Sequence, residues 1–528
     1  MPRNEDGVDD QSGTSDDGQE KPTKRYRRSS AQAAQPAQSW RTEKDVDETP
    51  PLLQFFPVRP PGVQLRSADT HTPLNLFKLF FSEGTVKTLC DNTNKQAAVN
   101  VAKGCKHKWT DVGIIEFYKY IGLIFYMATI KLDQIKDYWQ QGDIFSIPFP
   151  VTMMSRDRYR FIYWNVKMSN PHEDQENDKK KGTPEHNSLF KAEPLLDTIR
   201  TACKAFYHPH RNLVMRDGMA ATKGFKIFVL ADAGNGYTVD LAVYTRKTRF
   251  QTGQGVSYDA VMSLMNRSYL GSGYHVYTDS FYTSPKLFRD LRGQSFGACG
   301  PYREHRKNCP RNTSNALNKS SDRGAIRWIR DGPLVFVKWQ DRKEVSVCST
   351  IHTAYSGSKV KGWVKPKSGG SVPKSYPCPS SVMDCNKHMG GVDLSVQLIQ
   401  YFTTQHKTME WYRKLFLSFL DIAAMNAYII HNELASQRQQ EALTHKAFME
   451  ELIAELCGVS NKLSYKRASC DHVPVPVPGV GKRATNGRRM CLMCSINKKK
   501  LKTPWMCKVC DVALCLQLDR NCFEKWHK

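Results

Sequence analysis

The spacing of apolar residues predicts a helical region at the start of the folded chain. From about Pro73 to Tyr207, apolar side chains recur every three or four positions, as at Ile114, Phe117 and Ile121. This period matches one face of an α-helix, so the segment is expected to form helices that bury that face in a common core.

Around Phe225 the period of the pattern changes to two, which is typical of β-strands. Asn235 and Gly236 lie between two such runs and predict the turn of a hairpin. The run 274–278 is again β-branched and aromatic, and it predicts a strand that ends just before Asp279.

The order of these elements predicts the fold class. A strand near Leu213 is followed by the hairpin, a helix near Val261, the strand before Asp279 and a helix that starts at Ser284 and Pro285. This order is that of an α/β protein and matches the ribonuclease H-like architecture of enzymes that cut nucleic acids.

Asp279 is the first candidate site residue. A carboxylate between the end of a strand and the start of a helix is presented at the mouth of an α/β sheet, where catalytic and metal-binding groups usually lie. The alternative is an aspartate that only caps the turn.

Two further regions follow. Residues 303–378 are basic and strand-like, and they predict a β-rich insertion. Its tryptophans, Trp328, Trp339 and Trp363, either stack on bases or fill a small core.

After the insertion, the sequence MGGVD ends at Asp393, where the two glycines allow a close backbone approach. Asp393 is therefore a second candidate site residue, and its alternative role is an N-cap of the following helix.

The predicted organisation has six parts. They are a disordered arm and linker (1–62), a helical dimerisation and DNA-binding domain (63–207), the first part of the ribonuclease H-like core (208–302), the β-rich insertion (303–378), a second, helical part of the core (379–458), and a linker with a cysteine-rich zinc module (459–528).

The charge of the chain points to its partners. A formal net charge of +26 favours nucleic acid as the partner, because neutralising phosphates releases counterions; the alternative is a merely soluble basic protein.

Residues 1–20 are acidic and polar rather than a secretory signal, and apolar runs such as 121–130 are too short to span a bilayer. We therefore expect a soluble intracellular protein with no membrane partner. The basic cluster 21–28 is a nuclear import signal, a DNA-contacting tail or a solvated charge run.

Six of the sixteen cysteines lie close together near the end of the chain, which indicates metal binding rather than disulfides. Two CxxC pairs are followed by two further cysteines and a histidine, in the order Cys491, Cys494, Cys507, Cys510, Cys515, Cys522, His527. This spacing predicts two tetrahedral structural Zn²⁺ sites, since each CxxC turn offers two thiolates to one ion. The eighth ligand is expected to be His472 or Cys470.

Several separate motifs resemble the piggyBac transposases and their domesticated, transposable-element-derived descendants. The similarity runs from about Leu76 to His527. Its segments are DYWQQGDIF at Asp137, SLFKAEPLLDTIR at Ser188, GFKIFVLADAGNGYTVDLAVYT at Gly224, YTDSFYTSPKLF at Tyr277, NKHMGGVDLS at Asn386 and HKTMEWYRKLF at His406. The resemblance implies three aspartates on a ribonuclease H-like fold that bind catalytic Mg²⁺ and support DNA cleavage and strand transfer at TTAA targets. Asp279 and Asp393 match the second and third of these aspartates.

The first family aspartate has no straightforward counterpart. Relatives carry an Asp-Glu pair three and two residues before a methionine, whereas Arg216 and Asp217 stand at those places before Met219, and the basic loop that should follow is missing. Asp217 is thus a doubtful replacement, because a shift by one residue in a strand turns the side chain to the opposite face. A splicing error in the gene model is another explanation for the missing loop.

Two functions follow from these expectations. The first is a nuclear, piggyBac transposase-derived DNA-binding protein with a transposase domain, which binds double-stranded DNA as a homodimer and whose catalysis is impaired. The second is a non-catalytic scaffold that binds DNA or chromatin proteins. The resemblance implies that the zinc module has a cross-braced fold and recognises transposon ends. The alternatives are a zinc knot with a structural role and a module that binds a protein such as a chromatin component.

Overall fold

The computed structural model describes residues 38–48, 50–105, 108–142, 144, 146–217, 225–245, 252–364, 371–389, 402–404, 410–459, 472–479, 487–497 and 499–527. Asp393, Cys470 and Met219 therefore lie outside the described residues.

The described helices are α1 (Pro73–Phe77), α2 (Glu83–Ala102), α3 (Ile114–Thr129), α4 (Pro148–Met153), α5 (Arg156–Asn165), α6 (Pro171–Lys179), α7 (Glu193–Phe206), α8 (Val256–Leu264), α9 (Arg267–Leu270), α10 (Pro285–Gly293), α11 (described over 380–389), α12 (Trp411–Gln437), α13 (His445–Cys457), α14 (Leu492–Ile496) and α15 (Cys522–His527), with a 3-10 turn at Ile135–Trp139.

The described strands are β1 (Arg41–Thr42), β2 (Phe56–Pro57), β3 (Gly62–Val63), β4 (Tyr207–His208), β5 (Asn212–Asp217), β6 (Phe225–Asp232), β7 (Thr238–Thr245), β8 (Gly271–Ser272), β9 (His275–Thr278), β10 (Gly297–Pro301), β11 (Ile326–Asp331), β12 (Leu334–Gln340), β13 (Glu344–Ser349), β14 (Lys359–Val364), β15 (Val372–Pro377), β16 (Pro474–Pro476), β17 (Arg489–Met490), β18 (Lys502–Thr503), β19 (Trp505–Cys507), β20 (Leu516–Gln517) and β21 (Arg520–Asn521).

The helical region forms as the apolar period predicts. Phe117 and Ile121 of α3 are fully buried in the larger of the main hydrophobic cores. Helix α3 lies so close to α13 that a Cβ at Gly122 would come 2.6 Å from Cys457 Sγ. Glycine at this position therefore permits the two helices to touch, which joins the early helical region to the late part of the core.

A nine-stranded sheet forms the centre of the molecule, in the order β1-β11-β12-β13-β10-β9-β5-β6-β7. Strands β5, β9 and β10 are parallel to one another, while β6 and β7 form the antiparallel hairpin predicted around Asn235 and Gly236. Helices lie on both sides of the sheet, in a larger and a smaller core. This arrangement confirms the predicted α/β, ribonuclease H-like fold.

The strands of the predicted insertion join the same sheet. β13 pairs antiparallel with β10, and β12 and β11 continue outward from it. Trp328 and Trp339 are buried at 1% and 6% exposure, so these two side chains fill the core, as one of the two interpretations of the tryptophans held. Trp363, on the separate β14–β15 hairpin, is 66% exposed.

Part of the predicted disordered arm is ordered. Trp40 is 2% exposed in the smaller core, and the two residues of β1 pair with β11. Asp47 forms a bidentate ion pair with Arg330 at 2.5 and 2.6 Å, and both side chains are nearly buried. Expecting disorder over residues 38–48 was therefore wrong. The low average hydrophobicity of the arm hid one aromatic anchor and one charge whose partner lies far along the chain.

Helix α12 passes through the larger core. By length and composition it is the described helix that could span a membrane, but 83% of its most apolar window is buried inside the protein. Its apolar surface is already covered by protein, as in the central helix of a globular core.

Candidate active site and metal centre

Asp279 lies at the end of β9, directly before the turn that leads into α10. Its Oδ1 accepts a hydrogen bond of 2.6 Å from the backbone N–H of Phe281, and its carbonyl accepts from the N–H groups of Tyr282 and Thr283. The Ser284 hydroxyl caps α10, and Pro285 starts it, as predicted. Asp279 therefore closes the turn, which is the structural role considered from the sequence, and it is also presented at the edge of the sheet.

Asp217 ends the neighbouring parallel strand, β5. Met215 is in register with Thr278, so the next residue along β5, Arg216, follows at the level of Asp279. Met215 packs in the smaller core and Val214 in the larger one. Because side chains alternate along a strand, Arg216 and Asp217 point to opposite faces, and Asp217 takes the face of Met215.

The carboxylate of Asp217 is engaged by two neighbours. Its Oδ1 accepts from the hydroxyl of Tyr282 at 2.5 Å, and its Oδ2 lies 2.8 Å from the ammonium of Lys226. Tyr282 is buried, whereas Lys226 and Asp217 are about half exposed. The ammonium also lies 4.2 Å from the centre of the Phe281 ring, within range of a cation–π contact.

Asp217 and Asp279 are close enough to influence each other's charge. Burial is the main cause that raises the pKa of Asp279, and the negative charge of Asp217 adds to it. Hydrogen bonds from the turn and the charge of Lys226 act in the opposite direction. The structure thus brings these two predicted carboxylates into one neighbourhood.

The third predicted carboxylate, Asp393, lies outside the described residues. The chain that leads to it is described as far as α11. There the ring of His388 lies 4.4 Å from that of Tyr277, which is two residues before Asp279. The described part of α11 therefore contacts the strand that carries Asp279, and the placement of Asp393 itself stays a prediction.

Two arginines from the loop after β10 hold the Asp279 turn from its other side. Arg306 donates to the carbonyl of Phe281, and Arg303 donates to the hydroxyl of Ser280 at 3.2 Å. Arg303 is exposed and Arg306 is half buried. Arg306 therefore contacts the turn two residues after Asp279.

The cysteine-rich module brings all eight predicted zinc ligands into two groups of four. One group is Cys491, Cys494, Cys515 and Cys522; the other is His472, Cys507, Cys510 and His527. Within each group the ligand atoms lie within 4.8 Å of one another. Along the chain, ligands of one group alternate with ligands of the other, which is the cross-braced arrangement. Of the two residues considered for the eighth ligand, His472 is the one described in this cluster.

The distances within the four-cysteine group suit zinc. Cys494 Sγ lies 3.8 Å from Cys515 Sγ and 3.6 Å from Cys522 Sγ. Zn–S bonds of about 2.3 Å in a tetrahedron give S···S edges of about 3.8 Å, whereas a disulfide would need about 2 Å. Burial opposes ionisation of Cys491, but hydrogen bonds from the backbone of Cys494 and Cys515 lower its pKa to about 7.

The mixed group has the same geometry with imidazole nitrogens. His472 Nδ1 lies 3.3 Å from both Cys507 Sγ and Cys510 Sγ, and His527 Nε2 lies 3.5 Å from Cys510 Sγ. The other ring nitrogen of His527, Nδ1, donates to the carbonyl of Phe523 at 2.8 Å. This bond leaves the lone pair on Nε2, the atom that faces the thiolates.

The comparisons with known proteins agree with this geometry. The model of a family described as Transposase IS4 matches residues 72–428, and that of a DDE_Tnp_1-like zinc finger matches residues 467–528. The chain is 23% identical to human PiggyBac transposable element-derived protein 2, over 83% of this chain and 74% of that protein. Human PiggyBac transposable element-derived protein 5 is 20% identical, over 74% of this chain and 76% of the relative.

A solved structure of a piggyBac transposase synaptic complex with hairpin DNA has the same fold. It matches with a TM-score of 0.63 and 22% identity, covering 87% of this chain and 98% of the solved one.

The chain belongs to the piggyBac transposase family.

In this piggyBac-type protein, the residues that surround the two carboxylates have no distinguishing pattern in the sequence. Tyr282 reads as part of a turn, and Lys226, Arg303 and Arg306 read as ordinary surface charges. Only the pairing of β5 with β6 and β9 brings Lys226 and Tyr282 to Asp217. The one signal in the sequence was a cation, Lys226, near the start of the strand that pairs with the strand ending at Asp217.

Proposed function

We propose that this piggyBac transposase-derived protein binds double-stranded DNA in the nucleus as a homodimer, with impaired catalysis of DNA cleavage. The observation that carries the proposal is the state of Asp217. Both of its carboxylate oxygens are engaged, one by a hydroxyl donor and one by a cation. A hard divalent cation needs such oxygens as free ligands.

The described part of the acidic site does not fit a two-metal centre. Mg²⁺ catalysis of strand cleavage requires clustered carboxylates that hold two ions. Here Lys226 already neutralises Asp217, and Arg216 stands beside Asp279 in the strand register. A metal ion would have to displace the ammonium and face further positive charge.

DNA binding is supported by the charge of the chain, +26, and by the fold it shares with a transposase solved in complex with hairpin DNA. The zinc module contributes exposed cations, with Arg489 and Lys502 on its paired strands β17 and β18. We infer that two structural Zn²⁺ ions hold this module, one in the four-cysteine group and one in the mixed group.

A supercoiled-plasmid assay tests the proposal. The zinc-loaded protein is incubated with plasmid and Mg²⁺ or Mn²⁺, beside an active piggyBac transposase, and DNA binding is measured over a range of salt concentrations. Salt-sensitive binding without nicking is the expected result. Nicking that is lost in Asp279→Ala and Asp393→Ala would show an active enzyme and contradict the proposed impairment.

The scaffold remains the second candidate because the zinc module also exposes apolar side chains. Leu518 is fully exposed, and Val509 and Trp526 are 53% and 39% exposed. Such side chains favour a protein contact. Tighter binding to reconstituted nucleosomes than to the same DNA when it is free, abolished by Leu518→Ser with Trp526→Ser, would favour a chromatin protein as the partner.

Localisation and assembly have separate tests. The basic cluster 21–28 motivates nuclear import, and a fluorescent fusion that lacks these residues is expected to lose nuclear enrichment. Light scattering of the purified full chain is expected to give the mass of two copies. A mass of one copy, with or without DNA, would remove the homodimer.

A further inference from the structure

Among the described residues, the surroundings of Asp217 and Asp279 contain more positive than negative charge. Lys226, Arg303 and Arg306 all contact the strand end or the turn that carries these two aspartates. An active site for divalent cations requires the opposite balance, because its carboxylates have to attract the ions.

We propose that the sheet edge around Asp217 and Asp279 binds a DNA backbone phosphate directly, without a divalent cation. This inference rests on the proposed DNA-binding function. The phosphate would lie against the Asp279 turn, and its ligands are the side chains of Lys226, Arg303 and Arg306.

The cations are held in position by the fold rather than scattered on a flexible surface. Arg306 is half buried and anchored to the Phe281 carbonyl, and Arg303 is anchored to Ser280 Oγ. Each guanidinium has five N–H donors, so one anchoring bond leaves others to reach a phosphate. Lys226 is 43% exposed and rests on the faces of Phe228 and Phe281.

The aspartates have structural partners that suit this role. Tyr282 and Lys226 hold Asp217, while the backbone N–H of Phe281 holds Asp279. The raised pKa of Asp279 reflects the cost of burying a charge beside Asp217. The carboxylates therefore order the turn and the cations, whereas the net positive charge of the group is left for an anion.

The first experiment removes the three cations. Lys226→Ala, Arg303→Ala and Arg306→Ala are combined, and duplex affinity is measured against salt in zinc-containing, Mg²⁺-free buffer. The control removes three exposed lysines on other elements, Lys95, Lys343 and Lys446. We expect at least about tenfold weaker binding and a salt slope smaller by about 1 in the test variant, since each phosphate contact adds about 0.9 to the slope. Equal losses in both variants would overturn the inference.

The second experiment uses an effect of opposite sign. At a phosphate site, Asp279→Asn removes a repelling charge, so duplex affinity is expected to rise by a few fold and to be unchanged by Mg²⁺. At a metal site, Mg²⁺ strengthens DNA binding and Asp279→Asn abolishes that gain, which would overturn the inference. Asp290→Asn, at a partly exposed aspartate of α10 that pairs with Lys286, is the matched control. Circular dichroism verifies that each variant is folded.

These results separate the two proposals. If the wild-type protein does not bind duplex DNA at all, the proposed function falls, and the phosphate site falls with it. If the wild-type protein binds DNA but neither the triple variant nor Asp279→Asn differs from its control, the phosphate site alone is wrong. DNA binding would then reside elsewhere, with the zinc module as the first region to vary.

Discussion

The two candidate metal centres of this chain differ in how their described residues present ligands. In the zinc module, two sets of four soft ligands lie at the edge lengths of a zinc tetrahedron. At the sheet edge around Asp217 and Asp279, by contrast, Asp217 is paired with Lys226 and Tyr282. The described residues thus include two full sets of ligands for structural ions, whereas one of the two described carboxylates at the sheet edge is already paired with a cation. Folding of a zinc module depends on its structural zinc, whereas a transposase fold does not depend on catalytic Mg²⁺. A fold can therefore be kept when the residues of its catalytic site change.

The largest expected effect comes from breaking the complete centre. Cys494→Ser is expected to reduce the zinc content from two ions per chain to one or none and to unfold the module. Structural zinc contributes about 10 kcal/mol or more, which is comparable to the whole stability of a small domain. Elemental analysis and proteolysis measure this. Cys105→Ser, at an exposed cysteine of the helical region, is the control and should retain all the zinc.

The second effect concerns the hydrogen bond that occupies Asp217. Tyr282→Phe and Asp217→Asn, separately and combined, form a double-mutant cycle in urea unfolding. We expect a coupling free energy of about 1 kcal/mol, because a hydroxyl donates to a charged acceptor at a partly exposed site. Additive losses from the two substitutions would mean that the carboxylate is not held by Tyr282.

The smallest effect is the pH dependence of stability at Asp279. Because its pKa is raised in the folded state, wild-type stability falls as pH rises between the unfolded and folded pKa and stays lower above that window. Asp279→Asn should therefore unfold at a slightly higher temperature at neutral pH, and the gain should vanish below about pH 4.

Asp290 provides the control with the opposite sign. Despite partial burial, hydrogen bonds from Lys286 and Tyr258 lower its pKa, so its charged form supports folding above the unfolded pKa. Asp290→Asn should then lower the unfolding temperature at neutral pH and have no effect in acid. The same sign for both variants would contradict the electrostatic description of the turn.

The predictability of the two centres follows from where their residues lie in the sequence. Seven of the zinc ligands lie within 37 residues, from Cys491 to His527, and each CxxC spacing predicts two thiolates that share an ion. The structure, not the sequence order, assigns Cys515, Cys522 and His527 to their groups. For the eighth ligand, the sequence left two candidates, Cys470 and His472. The order of strands and helices along the chain around Asp279 was equally predictable, since hydropathy period and turn residues determine local elements.

What the sequence did not predict depends on contacts between distant residues. Lys226 meets Asp217 only because β5 and β6 pair, and Trp40 is buried by a sheet edge that begins at Ile326. Arg303 and Arg306 reach the Asp279 turn from a loop after the next strand. No periodicity within one segment carries such information, so composition predicted a disordered arm and gave no role to these cations.

Centrally, we propose that this chain binds structural zinc and that the sheet edge around Asp217 and Asp279 does not bind a divalent cation. The most direct measurement is a titration of the zinc-loaded protein with Mn²⁺, followed by electron paramagnetic resonance, in the wild type and in Asp279→Asn. The account predicts two zinc ions per chain and no Mn²⁺ binding that differs between the two proteins. Mn²⁺ bound by the wild type and lost in Asp279→Asn would contradict it.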